Sequence, residues 1–112
     1  MKADIWYGTS TEFKTNGHEY VMLVMTVPPL EQNMRNALAY LQNVEELYVG
    51  IKTSDFKIFD VHSSCDGEDA TISVIVPIVS ANLAPVIRVL NMIEKRLEEE
   101  DFADMKKRAS NK

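Results

Sequence analysis

One pattern is written twice in this chain, and no other feature constrains the fold as much. "VPPLEQNMRNALAYLQNV" at residues 27–44 and "VPIVSANLAPVIRVLNMI" at 76–93 align at an offset of 49, with Val27-Pro28 on Val76-Pro77, Asn33 on Asn82, Leu41 on Leu90 and Glu45 on Glu94. The apolar positions agree further. Met34, Ala37, Leu38, Leu41, Val44 and Tyr48 fall on Leu83, Val86, Ile87, Leu90, Ile93 and Leu97. Apolar residues at steps of three and four line one side of a helix, so two helices with the same buried stripe are expected.

The first helix is predicted over 29–48. Proline at the first helical position loses no hydrogen bond, and Gly50 suits a left-handed cap beyond the end. For the second, Ser80 or Asn82 can cap the start; Asn82 would put Pro85 at the third helical position, where a missing N–H is tolerated. Upstream of each helix the period changes from 3.6 to 2. Tyr20 to Val27 and Ala70 to Val76 are β-branched apolar runs of strand length. Before them stand Asn16-Gly17 and Asp66-Gly67, the dipeptides favoured in two-residue hairpin turns because both residues there need positive φ. The partner strands are Ala3 to Lys14 and Ser54 to His62, both more polar.

The reading is therefore a duplicated ββα unit: one half at 1–50, the other at 51–97, and a helical extension at 98–112, within one domain. A helix on a lone hairpin is marginal in water, so the halves are expected to merge around one core. Merged, they give an α+β fold: a four-stranded antiparallel sheet of order 1-2-4-3 with two helices on one face. That architecture resembles a ferredoxin-like sandwich permuted by moving its last strand to the front. Two separately paired hairpins or a swapped dimer fit the same signals. The polar strands fall at the sheet edges, which discourages edge-to-edge association.

At 112 residues the chain is long enough for one core without staples. The single cysteine, Cys65, cannot form an internal disulfide, and the start "MKADIWYG" lacks a secretory apolar stretch, which points to the cytoplasm. No apolar run approaches the roughly 18 residues that cross a bilayer, so no membrane association is expected. A net charge of −5 repels phosphate backbones, which argues against nucleic acid as a partner.

Two surfaces are left over once the core is assigned. If Val21, Leu23, Met25 and Val27 face the helices, then Tyr20, Met22 and Val24 face away, joined by Ile75. This face is expected to be covered by a second copy in a homodimer, a heterologous protein, an apolar ligand, or a loop or tail of the chain itself. The chain's end separates its charges, with six acids and two bases over 94–104 and four bases with no acid over 105–112. That order suits the helix dipole, so the second helix is predicted to reach about residue 107, with Phe102 and Met105 on a thin apolar edge available for contact.

The densest reactive cluster is Asp60, His62, Cys65, Asp66, Glu68 and Asp69. A zinc site wants two separated ligand pairs, and the only other histidine, His18, stands alone beside the first turn. The spacing fails a calcium loop as well. There is no glycine-rich phosphate loop and no G-x-S-x-G or H-E-x-x-H. No cofactor, metal or catalytic set is expected. The leading expectation is a non-enzymatic module that binds another protein as regulator or inhibitor. A regulatory domain holding a small molecule at a dimer interface is the alternative, and a small enzyme using His62 and Cys65 is third.

Overall fold

The computed structural model is α+β: an antiparallel sheet with helices packed on it and one long C-terminal helix. It describes residues 1–7, 19–63, 68–77 and 82–110, with the side chains of 2–7, 19 and 110 left aside. The hairpin dipeptides Asn16-Gly17 and Asp66-Gly67, and Ser80, lie outside the described residues.

Strands β2 (Glu19–Val27), β3 (Lys57–His62) and β4 (Ala70–Pro77) make the antiparallel sheet β2-β4-β3, with β2 and β4 paired from Tyr20↔Pro77 to Val27↔Ala70. The backbone of β1 (Lys2–Tyr7) runs antiparallel along the other side of β2, from Lys2↔Val24 to Tyr7↔Glu19, so that neighbours follow the order β1-β2-β4-β3. β3 begins at Lys57, later than the expected Ser54, because Thr53–Asp55 form a 3-10 turn in which Asp55 accepts the Lys52 N–H at 2.8 Å. Its register against β4 shifts between Ile58 and Asp60, an irregularity that leaves Phe59 out of step.

The first helical segment differs from the expected 29–48 at both ends. Pro28 precedes a proline, which disfavours helical backbone, and Leu30 stays extended at φ −129° and ψ 143°. Helix α1 is Glu31–Gln42, opened by the Leu30 carbonyl accepting from the Asn33 and Met34 N–H groups. It breaks at Asn43, whose side-chain amide donates to the Ala39 carbonyl beside its own backbone N–H. A single further turn follows, α2 (Val44–Leu47), and then Gly50 at φ +86°. No atom lies within 4 Å of where a Cβ would stand on Gly50, so the backbone angle, not space, asks for glycine there.

Helix α3 (Leu83–Ser110) has 28 residues and runs beyond the expected end at 107. The Asn82 carbonyl accepts the Val86 N–H, which places Asn82 at the helix start and Pro85 in the first turn. At 1.5 Å per residue α3 is about 42 Å long. The chain measures 56 × 33 × 18 Å, and residues 102–109 of α3 are all exposed.

One apolar cluster joins the sheet to the helices. Val21, Leu23, Met25, Val27, Ile72, Val74 and Val76 from the sheet meet Ala37, Leu41 and Val44 from α1 and α2, and Val86, Val89, Leu90, Ile93 and Leu97 from α3. Five of the six apolar pairs 49 apart share their burial: Ala37 and Val86, Leu41 and Leu90, and Val44 and Ile93 are all buried, and Met34, Leu38, Leu83 and Ile87 are half-buried against the same cluster, whereas Tyr48 is half-buried where Leu97 is fully buried.

Candidate functional site

The far side of the sheet divides sharply. Tyr20 has no exposed surface and Ile75 only 2%, although neither belongs to the helix-side cluster; Met22, directly opposite Ile75 in the ladder, and Val24 are half-buried. Of the covers expected for this face, the chain itself already closes over Tyr20 and Ile75, and the apolar surface left to offer is Met22 and Val24.

Larger exposed apolar groups sit on the last strand of the sheet. Every residue of β3 is exposed, including Ile58 at 38%, Phe59 at 51% and Val61 at 41%. Ile58 and Val61 oppose the core residues Val74 and Ile72, so they lie on the helix side of the sheet without being covered there. Sequence reasoning treated this strand as a polar edge. Its register irregularity at Phe59 interrupts the alternation that marks a half-buried strand, so "KIFDVH" carries no clean signal of which side chains stay open.

The outer surface of α3 is the second open region. Phe102 is 62% exposed and Met105 55%, as expected for the helix edge, and the Lys106 ammonium lies 5.8 Å from the Phe102 ring centre. Nearer the helix start the outer side of α3 is an open, shallow surface formed by Ala84, Ile87, Arg88, Asn91, Met92 and Lys95.

Between α1 and α3 runs a polar seam that sequence reasoning did not find. Asn33, 2% exposed, donates from its amide to Asp101 Oδ1 at 2.9 Å and to the Pro28 carbonyl at 3.3 Å. Tyr40 donates its hydroxyl to Glu100 Oε1, and the Arg96 guanidinium stacks 4.5 Å above the Tyr40 ring while donating to the same oxygen at 3.3 Å. Burial, followed by the bond and charge of Glu100, raises the Tyr40 hydroxyl above its ordinary pKa. Hydrogen bonding to Tyr48 and the field of Tyr40 raise Arg96 further, so it stays charged at any accessible pH. At the sheet, Glu94 Oε2 accepts the Thr26 N–H at 2.9 Å, and the Met1 nitrogen lies 3.1 Å from Glu94 Oε1.

The described members of the reactive cluster form no metal-ligand group. His62 is exposed at the end of β3, opposite Thr71, and Asp60, Glu68 and Asp69 are exposed. Cys65, Asp66 and His18 lie outside the described residues. Among the described residues no three His, Cys, Asp or Glu side chains converge as metal ligands, and no helix is long and apolar enough to cross a membrane. No family model, curated protein or solved structure matches the chain.

Proposed function

We propose that the chain is a non-enzymatic, cytoplasmic protein-interaction module that binds another protein as its regulator or inhibitor. The observation that carries this reading is the open apolar side of β3, where Ile58, Phe59 and Val61 are all more than a third exposed on the last strand of the sheet. An extended segment of a partner could add to such an edge, its main chain continuing the ladder and its apolar side chains resting on Ile58 and Val61. The net charge of −5 favours a partner with basic groups and disfavours nucleic acid. The shared burial of positions 49 apart supports a duplicated ββα unit, which with β1 included forms a four-stranded, permuted ferredoxin-like sandwich in a single domain.

The test is capture from the source cell with wild type and with a Val61→Asp variant, each checked for fold by circular dichroism. One protein recovered by wild type and lost by the folded variant supports the edge as the site. Equal recovery by both places the contact elsewhere. A co-purified metabolite with no protein partner would favour the small-molecule reading, for which a cavity of about 400 Å³ between the start of α1 and the sheet, lined by Leu30, Met34, Ser63 and Ala70, is the natural place.

A further inference from the structure

β3 is the last strand of the sheet, and every one of its side chains is exposed. The ladder to β4 fixes which way they face. Lys57, Asp60 and His62 oppose Ile75, Ser73 and Thr71 on the far side, whereas Ile58 and Val61 oppose the core residues Val74 and Ile72 on the helix side. Phe59 has no opposite residue in β4, so Ile58 and Val61 share a side although their numbers differ by three. A regular strand laid along this edge alternates strictly and matches β3 on only one side of Phe59. A second copy of β3 carries the same interruption and matches it on both.

We propose that β3 pairs antiparallel with β3 of a second copy about a two-fold axis between Ile58 and Phe59, so that the sheet runs on from one chain into the other and the association closes at two copies. In that register Lys57 of each copy stands opposite Asp60 of the other on the far side, giving two pairs of opposite charge. Ile58 and Phe59 of both chains meet at the axis, where 38% and 51% of their surface is open in the single chain. On the helix side Val61 of one copy falls opposite Phe56 of the other, over a shallow depression formed by Leu41, Phe56 and Ile58 with Gln42, Thr53 and Lys57. Neighbouring registers lose these matches. An axis through Ile58 or through Phe59 sets helix-side residues against far-side ones, and an axis between Phe59 and Asp60 brings the two Asp60 carboxylates beside each other. The pairing rests on the reading of β3 as the docking edge and adds its regulation: the second copy occupies the place a heterologous segment would take, so self-pairing and partner binding exclude one another.

Sedimentation equilibrium on the full chain tests the pairing, with circular dichroism to check that each variant is folded. Wild type is expected to be dimeric. Lys57→Glu sets like charges face to face in both pairs and should raise the dimer dissociation constant by about tenfold or more, as should Asp60→Lys. The two changes combined restore opposite charges in both pairs and should return the constant to within about threefold of wild type, a recovery that an effect on either residue's own surroundings would not give. A wild type that is monomeric at high concentration would overturn the proposal. So would single variants as tightly dimeric as wild type, or a double variant no tighter than the single ones. Neither reading of the edge hides the failure of the other: a capture that yields no partner leaves the dimer measurable, and a monomeric wild type leaves the edge open to a partner.

Discussion

Leu41 on α1 and Leu90 on α3 are 49 positions apart, and both are buried in the same apolar cluster, at 2% and 0% exposure. Truncating either to alanine removes three carbons from a closed environment. At about 0.8 kcal/mol per buried methylene the transfer cost alone is about 2.4 kcal/mol. The vacated space adds to it, because neighbours relax only partly, and the total for such sites falls between about 2 and 5 kcal/mol. We expect about 3 kcal/mol for each, and values for Leu41→Ala and Leu90→Ala that agree within about 1 kcal/mol, since both side chains stand at the same place in matching stripes. A 112-residue chain with an ordinary stability of about 5–15 kcal/mol survives one such loss. Urea denaturation followed by circular dichroism reads it directly. With a slope of about 1.5 kcal/mol per molar, the midpoint should fall by about 2 M with the slope unchanged. A midpoint shift below about 0.3 M for either variant would refute its place in the shared core. A large shift for one and none for the other would refute the equivalence of the halves.

Other consequences are open to test. Leu23→Lys puts a charge on the fully buried helix side of β2 and should abolish folding, whereas Met22→Lys, one residue along and half-buried on the far side, should keep the native circular dichroism spectrum and the wild-type oligomeric state. Tyr40→Phe takes a donor from the Glu100 carboxylate and should cost about 1–2 kcal/mol at neutral pH by urea denaturation. The raised Tyr40 pKa means the folded state holds this proton more tightly than the unfolded chain. Its contribution is therefore complete below the ordinary tyrosine value of about 10 and disappears as pH climbs through the higher folded value. Wild type should thus lose stability more steeply than Tyr40→Phe above about pH 10, and parallel pH profiles would contradict the assignment.

The elements most visible in the sequence are those whose reason for forming is local and repeated. The β-branched runs of β2 and β4 fall within a residue of where the pattern puts them, and the α3 stripe at Val86, Leu90, Ile93 and Leu97 is buried as its spacing requires. Boundaries set by one side chain are harder to read. The break at Asn43 depends on an amide turning back to the Ala39 carbonyl, and the late start of β3 depends on Asp55 closing a turn onto Lys52. Both residues look like ordinary surface positions in the sequence. The seam between α1 and α3 is invisible for a different reason: Asn33, Tyr40, Arg96 and Glu100 interrupt apolar stripes singly, and only the packing of the two helices brings them together. The burial of Tyr20 and Ile75 has no periodic signature either, because alternation tells which face a strand residue occupies and nothing of what lies over that face.

Two apolar helix stripes of repeated composition offer many near-equal ways to slide past each other, since leucine on valine is worth much the same one turn along. The seam removes that degeneracy. Shifting α3 by a single turn, about 5.4 Å, would part Asn33 from Asp101 and leave the buried amide with only its longer bond to the Pro28 carbonyl. The same shift would pull Glu100 from Tyr40 and lift Arg96 off the ring. The polar groups thus penalise every wrong alignment more than they reward the right one. Their contribution is to single out one alignment in a core whose own composition is nearly indifferent to it.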